Sequence, residues 1–364
     1  MKPYALPPIP ARSAIARAQK DRGGFVAAVL PIHYPRALLR AFDVLPIEVW
    51  GPPQIDASLG ASHLQAYVCS IVRNALAFLL SGGLQVTDLI VVPHACDSLQ
   101  GLGSILIDFQ QPRQDVLPLY LPRGNGESQI GYLINELRAM YARLSKITQH
   151  TPADRELLDS VQREESADEL LTELYRQRKD LVISPLDFYR LARTREYLPA
   201  EAFGELAQEA LLQRGTSESA GIPIVLSGIV PEPMSMLQSI TEAGGEVVGD
   251  DLACCGRRLY PTGKSEDPFR RMAERLLGGP PDPTLGSPIS ARLEHLQNLV
   301  AMGEARGVVF YSVKFCEPEA FDLPRLRKGL QEVGVPSLAI EVDLSDPPSH
   351  QVRTRIEAFL EMIA

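Results

Sequence analysis

The stretch from Gly307 to Asp343 decides the fold, and it opens with the sequence Gly307-Val-Val-Phe-Tyr-Ser-Val-Lys-Phe-Cys-Glu-Pro318. Its first seven residues are mostly β-branched or aromatic, which is typical of a buried strand. Apolar residues then recur at helical spacing from Leu323 to Val333, and Pro336 to Val342 has the pattern of a second strand. The stretch therefore predicts a β-α-β unit of a parallel sheet. Cys316 directly follows the first strand, at the sheet edge where open α/β folds bind ligands.

A second cysteine follows a predicted strand in the same way. Asp88 to Val92 is an apolar run, and Pro93-His-Ala-Cys-Asp-Ser98 comes directly after it. A single cysteine is most often a small buried residue. Two cysteines at equivalent positions of separate α/β units, Cys96 and Cys316, instead favour a shared role.

The third candidate is Cys69. The sequence predicts a helix from His63 to Leu80 whose apolar residues form one stripe, and Cys69 lies off that stripe, one turn before Arg73. A neighbouring guanidinium group lowers the pKa of a thiol and favours the thiolate that binds metal. We therefore expect Cys69 to join the other two cysteines as a metal ligand.

Composition limits the class of protein. The 364 residues are 45% hydrophobic and 22% charged, and the net charge is −9 without a basic block, so a nucleic-acid partner is excluded. The N-terminus lacks an apolar signal region, and no run approaches the roughly 18 to 20 apolar residues of a membrane span. We expect a cytoplasmic protein without a membrane partner. The five cysteines, an odd number, predict reduced thiols rather than a disulfide framework.

The predicted fold class is α/β, with two doubly wound parallel-sheet units of the Rossmann or flavodoxin type. Residues 1–24 form a lead, residues 25–150 the first unit, residues 151–214 a helical insertion and residues 215–364 the second unit. The charged runs of the insertion are predicted to be solvated helix faces. The metal site is expected between the two units, because its candidate ligands come from both.

Three further side chains are candidates for the site. Glu48 is the only acidic residue of an otherwise apolar run, so it is either solvated at a strand edge or buried with a raised pKa. A buried Glu48 could hydrogen-bond whatever the metal holds. Ser70 and Ser98 lie beside the candidate ligands and are weaker candidates, with helix capping or a hydrogen bond to sulfur as their alternative roles.

Other motifs are less specific. Cys254 and Cys255 are adjacent, and neighbouring side chains diverge in extended structure, so at most one of them is expected to face the site. Gly124-Asn-Gly126 lacks the Lys-Ser/Thr of a P-loop, and no nucleotide is assigned to it. The CxxC spacing that is usual for structural zinc is missing.

Several stretches together resemble one known family. They are Tyr34–Gly51, Tyr67–Arg73, Pro93–Ser98, Val247–Asp251, Lys314–Pro318 and Gln351–Phe359. They are similar to the 2-hydroxyacyl-CoA dehydratase and benzoyl-CoA reductase family, and the similarity spans nearly the whole chain. In that family three cysteines per subunit bind a [4Fe-4S] cluster, and the matching positions here are Cys69, Cys96 and Cys316. A family segment is also similar to Asp250 through Arg258, which leaves open whether Cys254 or Cys255 corresponds.

The resemblance implies the smaller iron–sulfur subunit of an ATP-activated acyl-CoA dehydratase or aryl-CoA reductase. The implied partners are a related larger subunit or a second copy, an acyl-CoA, and an activator ATPase with its own cluster. A low-potential electron would reduce the acyl-CoA carbonyl to a ketyl radical, which loses a hydroxyl group or leads to ring reduction. Three thiolates leave one iron without a cysteine, and Glu48 and Ser70 are the catalytic candidates beside it.

Other functions remain open. A reductase of small molecules with a double-cubane cluster would need about twice as many thiolates as the three matched here, and the chain has only five cysteines. A non-catalytic subunit that relays electrons, or that has lost its cluster, is another possibility, although the three cysteines argue against the loss. Zinc is a fourth possibility.

Overall fold

The computed structural model describes residues 6–52, 54–215, 221–344 and 349–364, and its strands form two parallel sheets. The first sheet contains β1 (Phe25–Val29), β2 (Val44–Glu48), β3 (Leu89–His94) and β4 (Asp115–Tyr120), in the order β2-β1-β3-β4. The second contains β5 (Ile222–Gly228), β6 (Gly245–Leu252), β7 (Gly307–Val313) and β8 (Ser337–Val342), in the order β6-β5-β7-β8. All neighbouring strands are parallel, which confirms the prediction of two doubly wound units.

Helices cover both sheets. Within the described ranges they are α1 (Arg12–Asp21), α2 (Arg36–Ala41), α3 (Ser58–Ala61), α4 (Ser70–Leu80), α5 (Asp97–Ser104), α6 (Glu127–Thr148), α7 (Asp154–Arg176), α8 (Pro185–Thr194), α9 (Ala200–Leu211), α10 (Ser235–Glu242), α11 (Pro268–Leu277), α12 (Ile289–Gly303), α13 (Glu317–Glu332) and α14 (His350–Ile363). A π-helical turn, Ile105–Gln110, continues α5.

The strands are apolar throughout because both faces of each sheet are buried. Successive side chains of a strand point to opposite faces, so Val26 and Ala27 of β1 enter different apolar clusters. In β5, Ile224 and Val225 separate in the same way. Val26 and Ile224 belong to one cluster, which therefore draws on both sheets and packs the two units together.

Two predicted helix starts are corrected. The helix expected to begin at His63 begins only at Ser70, because α3 packs across α4 instead of extending it: a Cβ on Gly60 would lie 2.6 Å from the Arg73 carbonyl oxygen. The helix of the β7–β8 crossover begins at Glu317, six residues before the predicted Leu323. Both corrections move a cysteine to the position immediately before a helix.

The charged runs of the predicted helical insertion are not all solvated, contrary to the prediction. Glu164, Glu165 and Asp168 of α7 are buried. Asp168 accepts hydrogen bonds from Arg195 Nε at 2.9 Å and from Arg275 Nη2 at 2.6 Å. These arginines lie far along the chain, so the local sequence does not reveal that they compensate the buried carboxylates.

Candidate metal centre at three helix starts

Each of the three candidate ligands immediately precedes a helix. Cys69 lies before α4, Cys96 before α5 and Cys316 before α13, and each has extended backbone dihedral angles. Cys69 is buried, whereas Cys96 and Cys316 are half-buried. Cys69 therefore lies at a helix start and not on the flank of a helix, which corrects the prediction. The equivalent positions of Cys96 and Cys316, each after a strand and before a helix, agree with the prediction.

The three thiols influence one another. Burial raises the pKa of Cys96 to about 12, and the negative charge of Cys69 adds to this rise. Burial also raises the pKa of Cys316 well above its ordinary value, and the charges of Cys69, Glu319 and Cys96 raise it further. Because each thiolate disfavours the next, the three sulfurs share one electrostatic neighbourhood.

Arg73 does not lower the pKa of Cys69 overall, contrary to the prediction. Burial raises that pKa, and the guanidinium group opposes the rise only weakly. Arg73 Nη2 instead donates to Asp343 Oδ2 at 2.6 Å, beyond the end of β8. The arginine therefore links α4 of the first unit to the second unit.

The helix starts supply backbone amides to the sulfurs. The amides of Ile71 and Val72 lower the pKa of Cys69, and those of Ser98 and Leu99 lower the pKa of Cys96, without a full capping hydrogen bond. The amide of Glu319 acts in the same way on Cys316. The positive end of a helix favours an anion such as a thiolate. Three such ends converge on the thiols, but they do not outweigh the burial.

The described residues contain no group of three His, Cys, Asp or Glu side chains that converges on a single metal ion. A zinc ion would need its thiolates at about 2.3 Å from one centre. An iron–sulfur cubane makes a different demand, because each cysteine binds a different iron and the ligand sulfurs stand further apart. Three thiols that share a neighbourhood without meeting at one point fit a cluster better than a single ion.

Glu48, at the end of β2, is 2% exposed, so it is not solvated at a strand edge. Its Oε1 accepts a hydrogen bond from Tyr34 Oη at 2.8 Å. Its Oε2 accepts from Trp50 Nε1 at 2.8 Å and from Arg258 Nη1 at 2.6 Å. Arg36 Nη2 lies 3.4 Å from Oε1. We call Glu48 and these four partners the Glu48 cluster.

The predicted rise of the Glu48 pKa is wrong in direction. Burial does raise it, but the charges of Arg258 and Arg36, with the hydrogen bonds from Arg258 and Tyr34, outweigh the burial and bring the pKa down to about 2. Arg258 comes from the turn after β6, so the Glu48 cluster joins the two units. The sequence gives no sign of this pairing, because the partners are separated by 210 positions.

A second buried network fixes the start of α13. Arg257 Nε donates to Asp251 Oδ1 at 2.8 Å, and Arg257 Nη1 donates to Glu319 Oε1 at 2.6 Å. Arg292 Nη2 lies 3.1 Å from Glu319 Oε2. Glu319 is three residues after Cys316, so this network holds the helix that carries the third cysteine. Sequence reasoning missed these roles, although Asp251 and Arg257 lie in the segment that resembles the family.

Ser70 and the adjacent cysteines have local partners. The Ser70 hydroxyl accepts a hydrogen bond from the Leu344 amide at 3.1 Å, which ties the first turn of α4 to the second unit. Cys254 and Cys255 lie in a turn, and their sulfurs are 3.3 Å apart, so their side chains do not diverge as predicted. Both are buried with free thiols.

Two clefts open beside the helix starts. One is lined by Tyr67, Ser98 and Glu317, and the other by Cys96, Glu317 and Phe321. Tyr67 is 57% exposed and Phe321 is 77% exposed, so aromatic side chains surround the entrance to the thiols.

Comparison with known proteins agrees with this arrangement. The family model for the 2-hydroxyglutaryl-CoA dehydratase D-component matches residues 31–363. The chain belongs to this family. The match includes the three candidate ligands and both networks that join their elements.

Curated relatives match nearly from end to end. The chain is 23% identical over 359 residues to the (R)-phenyllactyl-CoA dehydratase beta subunit of Clostridium sporogenes, covering 96% of this chain and 94% of the relative. It is 24% identical over 361 residues to the beta subunit of the (R)-2-hydroxyglutaryl-CoA dehydratase of Acidaminococcus fermentans, covering 94% of each. It is 23% identical over 361 residues to one of the subunits of the benzoyl-CoA reductase of Thauera aromatica, covering 95% and 92%. Dehydratase-family members thus include subunits of both dehydratases and reductases. Within the described ranges, no helix combines the length and apolar character needed to cross a bilayer.

Proposed function

We propose that this chain is the iron–sulfur subunit of an acyl-CoA dehydratase or aryl-CoA reductase. The observation that carries the proposal is the position of Cys69, Cys96 and Cys316 at three helix starts, with thiols that influence one another electrostatically. Membership of the dehydratase family supports it. The proposed cofactor is a [4Fe-4S] cluster between the two units.

In this proposal the three cysteines hold the cluster as thiolates. The bound cluster supplies one-electron chemistry at low potential. The chain contributes amides of three helix starts near the thiolates, and the surrounding burial limits access of water. Without a bound cation the thiols prefer to stay protonated, so loading of the site releases protons.

Glu48 is proposed to act as a positioning residue. Its oxygens are committed to Tyr34, Trp50 and Arg258, so it holds β2 and the turn after β6 in place. Ser70 is proposed to position the start of α4, and with it Cys69, through the Leu344 amide. A direct catalytic role for either residue, as the sequence suggested, stays a prediction that turnover measurements on Glu48→Gln and Ser70→Ala can test.

A related larger subunit is the proposed partner, and the aromatic entrance to the thiols is its proposed docking surface. Tyr67 precedes Cys69 by two residues, Phe315 directly precedes Cys316, and Phe321 lies on α13; all three are exposed. Exposed apolar side chains around a site are typical of a protein interface. Phe321→Arg should weaken co-purification with the larger subunit by about tenfold or more. Leu212→Arg, at an exposed position of the helical insertion, is the matched control and should leave it unchanged.

The activity test uses the complete system under anaerobic conditions. The chain is purified with its larger subunit and an activator ATPase, then supplied with ATP, a reductant and a panel of thioesters. The panel includes (R)-phenyllactyl-CoA, lactoyl-CoA, (R)-2-hydroxyglutaryl-CoA and benzoyl-CoA, the compounds that appear in the names of the relatives. Turnover of one of them that requires ATP and the ATPase is the expected result. Turnover without the ATPase would contradict the proposed activation.

A second candidate function is electron relay without substrate binding. The full commitment of the Glu48 oxygens favours it, because this buried acid is then not available to a thioester. Binding of an acyl-CoA to the isolated chain distinguishes the two functions. Retention by the larger subunit alone would support the relay, whereas retention by this chain would support a substrate-binding subunit.

A further inference from the structure

A separate cavity of about 360 Å³ lies where β2 ends, between α1 and the C-terminal part of α4. Its apolar wall includes Ala16, Ile47, Trp50, Phe78, Leu84 and Val86. Of the described residues that line it, none is a cysteine, so it is distinct from the proposed cluster site. Its volume falls in the range of small-molecule pockets, about 300 to 1,000 Å³.

The polar groups of the cavity are already balanced in charge. Arg12 and Arg193 both pair with the buried carboxylate of Glu196, and Arg193 also pairs with Glu232. Two guanidinium groups thus face two carboxylates, and Glu48, which also lines the cavity, is paired with Arg258. A charged ligand would find no unpaired countercharge in this partly enclosed apolar space, so the lining favours an uncharged one.

The aromatic wall is held in a fixed orientation. The Trp50 indole donates to Glu48 Oε2 at 2.8 Å, and the Arg193 guanidinium carbon lies 5.8 Å from the centre of its ring. The Phe78 ring adds a second flat apolar surface to the same cavity. Offset-stacked and edge-to-face contacts with such rings favour an aromatic ligand.

We propose that this cavity binds an uncharged aromatic molecule that carries one hydrogen-bonding group, with the ring against Trp50 and Phe78 and the polar group towards Arg193 and Glu232. The site is additional to the proposed cluster site and does not depend on it. Its ligand enters between α1 and the segment that follows α4.

Benzamide is the probe, because it is uncharged and aromatic and has one amide. Trp50 is the only tryptophan of the chain, so its fluorescence reports on the cavity directly. Anaerobically purified full-length protein should show a saturable change of emission, with a dissociation constant of about 1 mM or tighter, confirmed by calorimetry. Benzoate, of similar shape but negatively charged, should bind at least about tenfold more weakly.

Filling the cavity locates the site. Ala16→Leu adds bulk from α1 into the cavity and should weaken benzamide binding by about tenfold or more. Ala18→Leu makes the same change at an exposed position of α1 and should leave binding unchanged. Val86→Phe fills the cavity from another wall and covers the case in which Ala16→Leu fails to fold. Absence of saturable benzamide binding, equal binding of benzoate, or unchanged binding in folded Ala16→Leu or Val86→Phe would overturn the proposal.

Discussion

The Glu48 cluster and the three cysteines are both buried and both draw on the two α/β units, yet their electrostatics are opposite. The carboxylate of Glu48 receives three hydrogen bonds of 2.6 to 2.8 Å and two positive charges, which bring its pKa down to about 2. The thiols receive mainly backbone amides, and burial leaves the pKa of Cys96 at about 12. The Glu48 cluster is therefore complete without any added group. The cysteine site lacks positive charge, which is what a metal cluster would supply.

The largest effect is expected from Arg258→Ala, which would break the self-sufficiency of the Glu48 cluster. Removal of one partner of a buried ion pair leaves the other charge uncompensated, so the free energy of unfolding should fall by about 3 to 5 kcal/mol. Urea unfolding of the metal-free protein measures this. Arg190→Ala, in a mostly exposed pair with Asp187, is the control and should cost less than about 1 kcal/mol. Similar losses in the two variants would show that the Glu48 cluster does not join the units.

Glu48→Gln should have an intermediate effect. The amide keeps the shape of the side chain but not the charge that Arg258 faces, so the free energy of unfolding should fall by about 1 to 3 kcal/mol at neutral pH. Because folding lowers the Glu48 pKa from 4.5 to about 2, the wild-type contribution is present above pH 4.5 and is lost as the pH falls towards 2. The difference between wild type and variant should shrink across that range in pH-dependent urea unfolding. A constant difference would contradict the lowered pKa.

The same variant sharpens the functional contrast between the two regions. If Glu48 only positions its surroundings, iron content should be retained and turnover should fall in step with the loss of stability. A large loss of turnover with intact stability and iron would instead restore the catalytic role suggested by the sequence. Full turnover would remove Glu48 from the mechanism.

The smallest effect is expected from Ser70→Ala, which removes one hydrogen bond beside the cysteine site. Loss of the acceptor for the buried Leu344 amide should lower the free energy of unfolding by about 1 to 2 kcal/mol, with little change of iron content. Ser98→Ala is a useful comparison, because the Ser98 amide rather than its hydroxyl faces Cys96. A larger loss of stability in Ser98→Ala than in Ser70→Ala would contradict this assignment.

The sequence predicted the features that depend on local pattern. The bounds of β7 agree with the predicted run from Gly307 to Val313, because a strand buried on both faces is apolar throughout. Cys96 and Cys316 could be placed at strand ends because the chain leaves those strands directly. These two positions required no knowledge of distant contacts.

The features that were missed depend on contacts between distant segments. The turn that brings Cys69 to a helix start arises because α3 packs across α4 at Gly60, a contact that helical periodicity does not encode. The pKa of Glu48 was predicted in the wrong direction because Arg258 approaches from the other unit. Burial raises a carboxylate pKa only when such a partner is missing.

The central claim is that Cys69, Cys96 and Cys316 hold one cluster, and iron per chain in single cysteine variants tests it most directly. Iron and acid-labile sulfide are measured after anaerobic purification of the Cys69→Ala, Cys96→Ala and Cys316→Ala variants, with Cys254→Ala and Cys255→Ala as matched controls. The account predicts about four irons per chain in wild type and controls, and a loss of at least about half in each of the three ligand variants. Unchanged iron in all three ligand variants, or an equal loss in the controls, would contradict the account.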